Sequence, residues 1–179
     1  EMTRLARMAK PTVCVLTNIG LCHLENLHTR DGILQAKTEC FTHMTPDGIA
    51  VLNGDDDKLC TKTVVNGKPA VFYGMGKAAK VVKNGETEEV YIEKQVYATD
   101  VEAVGLTGTK AVLHYCPKGT EAETTIEVEI PIAGEHNVYN ALAAVSVANE
   151  LGLKAEEMKR GIESVQTIGG RSNLIHKDG

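Results

Sequence analysis

Two short apolar runs constrain this chain most. Val13-Cys14-Val15-Leu16 and Ile49-Ala50-Val51-Leu52 are continuous, without polar alternation, as strands covered on both faces are. Between them Ile33, Ala36, Cys40 and Met44 recur at helical intervals and predict a helix over about 30–44. Strand, helix, strand is a parallel crossover unit, so the expected class is α/β. Each run gives way to a polar stretch, Thr17-Asn18-Ile19-Gly20 after the first and Asn53-Gly54-Asp55-Asp56-Asp57 after the second. Open α/β sheets bind their ligands beyond the carboxyl ends of the strands. Ahead of the first run, Met2, Leu5 and Met8 have helical spacing that stops before Pro11.

The middle of the chain changes character. Asn66-Gly67 and Asn84-Gly85 are two-residue turn signals, and Ile126-Glu127-Val128-Glu129-Ile130 alternates apolar with polar. Residues 60–130 are therefore expected to form a smaller antiparallel sheet beside the parallel one. Helix returns in the last third. Val138, Ala141, Leu142, Val145 and Ala148 share one face, and Gly152 closes the helix. A second helix carries Met158 and Ile162, with Glu156 and Glu157 early and Lys159 and Arg160 late, matching the macrodipole. The expected organisation is one α/β domain over 1–168 and a linker over 169–179 that contains Gly169-Gly170-Arg171.

Composition excludes some partners. The formal net charge of -5 lacks the basic footprint of a nucleic-acid binder. No apolar run reaches the roughly 20 residues of a membrane span, and the start, Glu1-Met2-Thr3-Arg4, is not a signal peptide. The five cysteines, an odd number, include no Cys-x-x-Cys pair, so neither a disulfide framework nor a zinc site is signalled. Free thiols suit a reducing cytoplasm.

A nucleotide-using α/β domain should carry a phosphate loop, G-x-x-x-x-G-K-[ST]. Gly74-Met75-Gly76-Lys77 lacks the upstream glycine and the hydroxyl residue, and Thr107-Gly108-Thr109-Lys110 lies between strands. Both read as hairpin turns. Two other constellations can carry chemistry. His23 and Glu25 leave the carboxyl end of the first strand, and Lys37 follows on the next helix. Such a set can bind an anion or a hydrated divalent cation; equally, His23 can be a hydrogen-bonded loop histidine and Lys37 a snorkelling lysine. The second is Gly134-Glu135-His136-Asn137-Val138-Tyr139-Asn140. Asn137 and Asn140 are three apart at a helix start, so their amides can face one way and meet a purine edge. Alternatively, one of them caps the helix.

Taken in order, these stretches resemble the central domain of the Mur ligases, and most of all the MurF type. The residues that carry the resemblance are Ala9-Lys10-Pro11 with Thr17-Asn18-Ile19-Gly20, His23-Leu24-Glu25-Asn26-Leu27, Ala36-Lys37-x-Glu39, Val51-Leu52-Asn53-Gly54-Asp55-Asp56, the stretch from Gly134 to Ala144, and Gly170-Arg171. His28 stands where the family usually has Gly, and Asp57 where Pro often follows.

The resemblance implies an ATP-dependent amide ligase of peptidoglycan precursor synthesis. It would join D-alanyl-D-alanine to UDP-N-acetylmuramoyl-tripeptide through an acyl phosphate, with magnesium present. It implies that His23 holds magnesium near the γ-phosphate and that Lys37 is the family lysine able to carry a carbamate, an oxygen ligand suited to magnesium. It further implies that Asn137, Asn140 and His136 lie beside the adenine and that Arg171 approaches the phosphates. The setting would be cytoplasmic and the parent protein a monomer. The phosphate loop is expected before Glu1 and a further domain after Gly179. As a piece of a larger ligase, the chain alone is expected not to turn over ATP, to leave Lys37 unmodified and to be open to self-association through an unpaired sheet edge. Alternatives are another amide ligase of the superfamily, of the folylpolyglutamate or cyanophycin synthetase kind, and a non-catalytic scaffold.

Overall fold

The computed structural model describes residues 2–20, 29–82 and 89–166, with side chains at 79–82 and 89–90 excepted. Its centre is a six-stranded mixed sheet in the order β1-β2-β5-β8-β9-β10. These strands are β1 (Val13–Leu16), β2 (Ile49–Asn53), β5 (Val71–Met75), β8 (Val96–Val104), β9 (Gly108–Tyr115) and β10 (Thr124–Ile130). The pairings β1–β2, β2–β5 and β5–β8 are parallel, while β8–β9 and β9–β10 are antiparallel. Two small hairpins stand apart from it: β3 (Val64–Val65) with β4 (Lys68–Pro69), and β6 (Ala78–Val82) with β7 (Glu89–Glu93). The architecture is thus a mostly parallel sheet flanked by helices, but the antiparallel part expected over 60–130 is not a separate sheet: β5 lies in the parallel half, β8 to β10 extend the same sheet, and among the described residues only the two hairpins stand apart. Among the described residues β1 has a neighbour on one side only.

Alternation along the parallel strands sends side chains to two cores. Ala50, Leu52 and Phe72 join one core under α1 (Met2–Ala9) and α2 (Arg30–Thr38). Val51, Tyr73 and Val96 join the other, under α3 (Glu135–Glu150) and α4 (Ala155–Glu163). Covering both faces is what the unbroken apolar runs require, and completely burying a side chain such as Leu52 is worth about 1.5–3 kcal/mol. In the first core Cys14 and Cys40 place their Sγ atoms 2.7 Å apart as free thiols. The hydrogen bond with the Cys14 thiol, and after it burial, pushes Cys40 up from its ordinary value.

The ends of the helices follow local chemistry. Thr29 caps α2, its Oγ1 accepting from the Gly32 amide at 3.0 Å. The helix expected over 30–44 stops as α-helix at Thr38 and continues as a 3-10 segment, Glu39–His43. The Thr38 hydroxyl donates back to the Leu34 and Gln35 carbonyls at 2.9 and 3.1 Å, which competes with the backbone ladder at that point. The tighter turn places Cys40 and Phe41 in the core.

Asn66-Gly67 makes the expected hairpin, with φ of 50° and 78°; Asn84-Gly85 lies outside the described residues. Of Thr107–Lys110, only Thr107 lies in the β8–β9 turn; Gly108, Thr109 and Lys110 already belong to β9 and pair with β8. Gly74–Lys77 is not a hairpin turn. Gly74 and Met75 belong to β5, and the chain then passes to β6, which pairs with β7 rather than back onto β5. A two-residue turn signal reports local backbone freedom and is silent on which strand comes next to which.

No helix among the described residues is long and apolar enough to cross a membrane.

Candidate functional site

The three neighbouring parallel strands β1, β2 and β5 end on one edge of the sheet, and their exits are tied together by side chains. The polar stretch after β2 does most of the tying, because each of its three aspartates binds a different element. Asp55 Oδ2 accepts from the Met75 amide (2.7 Å) and from the Tyr139 hydroxyl (3.1 Å), joining β2 to β5 and to the first turns of α3. Asp56 Oδ2 accepts from the Ile19 amide at 2.8 Å, while its Oδ1 takes the amides of Lys58 and Leu59 at 3.0 and 2.9 Å. Asp57 pairs with the Arg30 guanidinium, with Nη1 to Oδ2 at 2.8 Å. Asn53 adds a fourth tie, its Nδ2 donating to the Thr17 carbonyl at 3.0 Å.

Charge around this edge is balanced from within. Lys94, whose side chain is 0% exposed, places Nζ 2.5 Å from Asp55 Oδ1 and donates to the Met75 carbonyl at 2.5 Å. A buried ammonium is tolerable only when paired and hydrogen-bonded in this way. The pair fits because position 74 is glycine: a Cβ there would stand 2.2 Å from Asp55 Oδ2 and 2.9 Å from Lys94 Cε. The hydrogen bond from Arg30 to Asp57 raises the guanidinium above its ordinary value, ahead of the charges of Asp57, Asp56 and Asp31. Burial, and after it the Asp55 charge, pushes the Tyr139 phenol up, so it remains a donor. Tyr73 is raised by burial and then by Asp56.

The start of α3 forms the second half of the site. Gly134 is the N-cap at φ 111°, a conformation that side chains rarely adopt, and a Cβ there would lie 2.7 Å from the His136 ring. Thr109 of β9 holds the Gly134 amide at 3.3 Å. Asn137 reaches back, donating Nδ2 to the Ala133 carbonyl at 3.0 Å with His136 Nε2 3.2 Å away, and accepts from Asn140 Nδ2 at 3.3 Å. Neither asparagine is the N-cap.

Asn137, Asn140, Ala141 and Ala144 line one side of a cavity of about 640 Å3, faced by Met158 and Ile162 of α4. The spacing matches one helix face. His136, Asn137 and Asn140 supply the polar end, and the remaining lining is largely apolar. A concave apolar site with a few converging amides is the usual form of a small-molecule pocket.

The expected site residues divide into three groups. His136, Asn137 and Asn140 are brought together at the cavity. Lys37 stands apart from them, with Nζ donating to the Asn18 carbonyl at 2.8 Å, so it neither snorkels free nor accepts. His23, Glu25 and Arg171 lie outside the described residues. As an ammonium donor Lys37 does not coordinate a cation, and among the described residues no group of three or more His, Cys, Asp or Glu side chains could hold a metal ion. Sequence reasoning missed Arg30, Lys94 and Tyr139. Tyr139 lay inside a singled-out stretch, and the acidic run gave a reason to look for its cations; nothing local marked Lys94.

Comparison with known proteins bears on this edge and this cavity together. A family model described as the Mur ligase middle domain matches residues 1–148. The UDP-N-acetylmuramoyl-tripeptide–D-alanyl-D-alanine ligase of Bacillus subtilis is 29% identical over 178 residues, covering 99% of this chain and 33% of that ligase. The UDP-N-acetylmuramate–L-alanine ligase of Neisseria gonorrhoeae is 31% identical over 162 residues, 90% of this chain and 31% of that one. A crystal structure of MurF from Acinetobacter baumannii superposes with a TM-score of 0.77 at 28% identity, covering 99% of this chain and 34% of that one. The chain thus spans about a third of the length of the curated relatives it matches.

Proposed function

Because this chain belongs to the Mur ligase family, as its middle domain, we propose that it is part of an ATP-dependent ligase that adds D-alanyl-D-alanine to UDP-N-acetylmuramoyl-tripeptide. The observation that carries this reading is the tying of the β1, β2 and β5 exits to the start of α3, beside a cavity with paired asparagines at its polar end. A purine ring is flat, apolar on its faces and polar at its edge. The cavity offers apolar walls for the faces, and Asn137, Asn140 and His136 supply donors and acceptors for the edge.

The reaction would convert the peptide carboxylate into an acyl phosphate at the expense of ATP. The amine of D-alanyl-D-alanine then attacks the acyl carbon and phosphate leaves. Such chemistry is carried largely by positioning and charge neutralisation. We assign the phosphate end to the strand exits, with Lys37 on that side and with His23 and Arg171 as its further members. Magnesium, where bound, would supply charge neutralisation at the phosphates. Uptake of CO₂ by a neutral Lys37 would release one proton and leave one N–H on the nitrogen, enough to keep the bond to Asn18 while presenting a carboxylate. A cytoplasmic setting is part of the same proposal, and the free thiols suit it.

The test is a panel of amine acceptors given to the full-length protein with ATP, magnesium and UDP-N-acetylmuramoyl-tripeptide, reading phosphate release. D-Alanyl-D-alanine is expected to give the highest rate. Turnover with glutamate or another acceptor in its absence, and none with the dipeptide, would place the protein in a different branch of the family. No turnover with any acceptor would favour a scaffold.

A further inference from the structure

Three consecutive carbonyls leaving β1 are each taken by a side chain from another element: Thr17 by Asn53, Asn18 by Lys37 and Ile19 by Arg30 Nε, at 3.0, 2.8 and 2.9 Å. The Ile19 amide is also taken, by Asp56 Oδ2 at 2.8 Å. Loop carbonyls at a sheet edge are ordinarily left to water, and two of these three donors, with the one acceptor, are charged, which makes the bonds stronger than neutral ones. Ile19 is already anchored, since its side chain is 1% exposed in the core. Burying that side chain does not fix the rotation of the peptide groups on either side of it; the two charged contacts do. Both clamps are themselves held. Asp56 uses its other oxygen on the Lys58 and Leu59 amides, and Arg30 gives both terminal nitrogens to Asp57.

We propose that Arg30 and Asp56 are positioning residues for the ligase reaction. They grip Ile19 by its carbonyl and its amide, and so hold the β1 exit, with Lys37 on the adjacent Asn18 carbonyl, in register with the tip of β2. The inference rests on the reading of the strand exits as the phosphate end of the site. Neither residue touches substrate in this account; both act through the backbone they hold.

Two substitutions separate this role from general stabilisation. Asp56→Asn can keep one oxygen on the Lys58 and Leu59 amides while turning an NH2 toward the Ile19 amide, so it reverses that contact and removes the charge 3.9 Å from Arg30 Nη2, leaving the Arg30–Asp57 pair in place. Arg30→Lys keeps the charge but cannot reach the Ile19 carbonyl and Asp57 together. In the unliganded chain, amide exchange at Ile19 is expected to quicken about tenfold in Asp56→Asn, with Val51 and Leu52 unchanged. In the full-length ligase, kcat is expected to fall about tenfold to a hundredfold, as small misplacements at a reacting centre do, while KM for ATP stays within about twofold. Arg30→Lys should fall between Asp56→Asn and the unsubstituted protein.

Equal quickening along β2 would overturn the proposal, because it would make these residues stabilisers of the sheet. So would an unchanged kcat with faster Ile19 exchange, or a change confined to KM. If the unsubstituted full-length protein shows no ATP-dependent ligation, the functional reading fails, while the exchange result still decides whether Ile19 is held.

Discussion

Lys94→Met is expected to destabilise the described fold by about 3 kcal/mol, the low end of what breaking a buried ion pair costs. Methionine has similar bulk and fits the channel, so the loss is one of charge and hydrogen bonding. Asp55 would keep the Met75 amide and the Tyr139 hydroxyl, but its Oδ1 would lose the cation 2.5 Å away, and the Met75 carbonyl would lose its side-chain donor. The low end applies because the Asp55 side chain is 22% exposed and water can recover part of the loss. Chemical denaturation measures the change directly. Adding Asp55→Asn to Lys94→Met should restore much of the loss, since removing both charges leaves no unpaired ion. A loss below about 1 kcal/mol for the single substitution, in the range of surface ion pairs, would mean the pair is solvated.

Gly74→Ala is the second large effect, and it acts on the same pair from the other side. The added carbon would meet Asp55 Oδ2 at 2.2 Å, Asp55 Cγ at 2.8 Å and Lys94 Cε at 2.9 Å. Real Cβ atoms do not approach so closely, so the pair must move. Overpacking alone costs about 1–3 kcal/mol, and displacement of Asp55 from Lys94 adds to it. We expect a loss of about 3 kcal/mol or more by denaturation. The mechanism makes a sharper claim about coupling: in an Asp55→Ala background the two contacts with Asp55 are gone and only Lys94 Cε at 2.9 Å remains, so Gly74→Ala should then cost much less. A full loss in that background would place the conflict in the β5 backbone instead.

These two substitutions show what the sequence could and could not convey. Val13–Leu16 and Ile49–Leu52 were legible because burial on both faces leaves no room for polar alternation. The core face of α3, with Val138, Ala141, Leu142 and Val145, was legible because its apolar residues keep the 3.6-residue period of a half-buried helix. The end of α2 was not, because the break rests on a single hydroxyl, that of Thr38, choosing a backbone acceptor. Lys94 was the hardest. Between Glu93 and Gln95, beside a hairpin, it has the local signature of an exposed charge. Its burial is decided by Asp55 in the turn after β2 and by Gly74 of β5, and no local window contains all three. The acidic run at 55–57 stood out as a polar strand end, but the division of three adjacent carboxylates among Tyr139, Ile19 and Arg30 exists only once the chain is folded.

The proposed function has a wider consequence for how the site works. On that proposal the nucleotide end and the phosphate end would be joined through adjacent residues after β2, Asp55 toward α3 and Asp56 toward β1. Rigid connection of this kind suits a reaction in which little covalent work falls to the protein and placement matters most.

The central claim is that the cavity between α3 and α4 receives the purine, at its polar end. A crystal structure of the full-length protein with ADP tests it most directly. The account predicts the purine edge within hydrogen-bonding distance of Asn137 or Asn140, with its faces against the apolar walls. A purine bound elsewhere, with the asparagines still bonded to each other, to Ala133 and to His136 as in the unliganded chain, would contradict it.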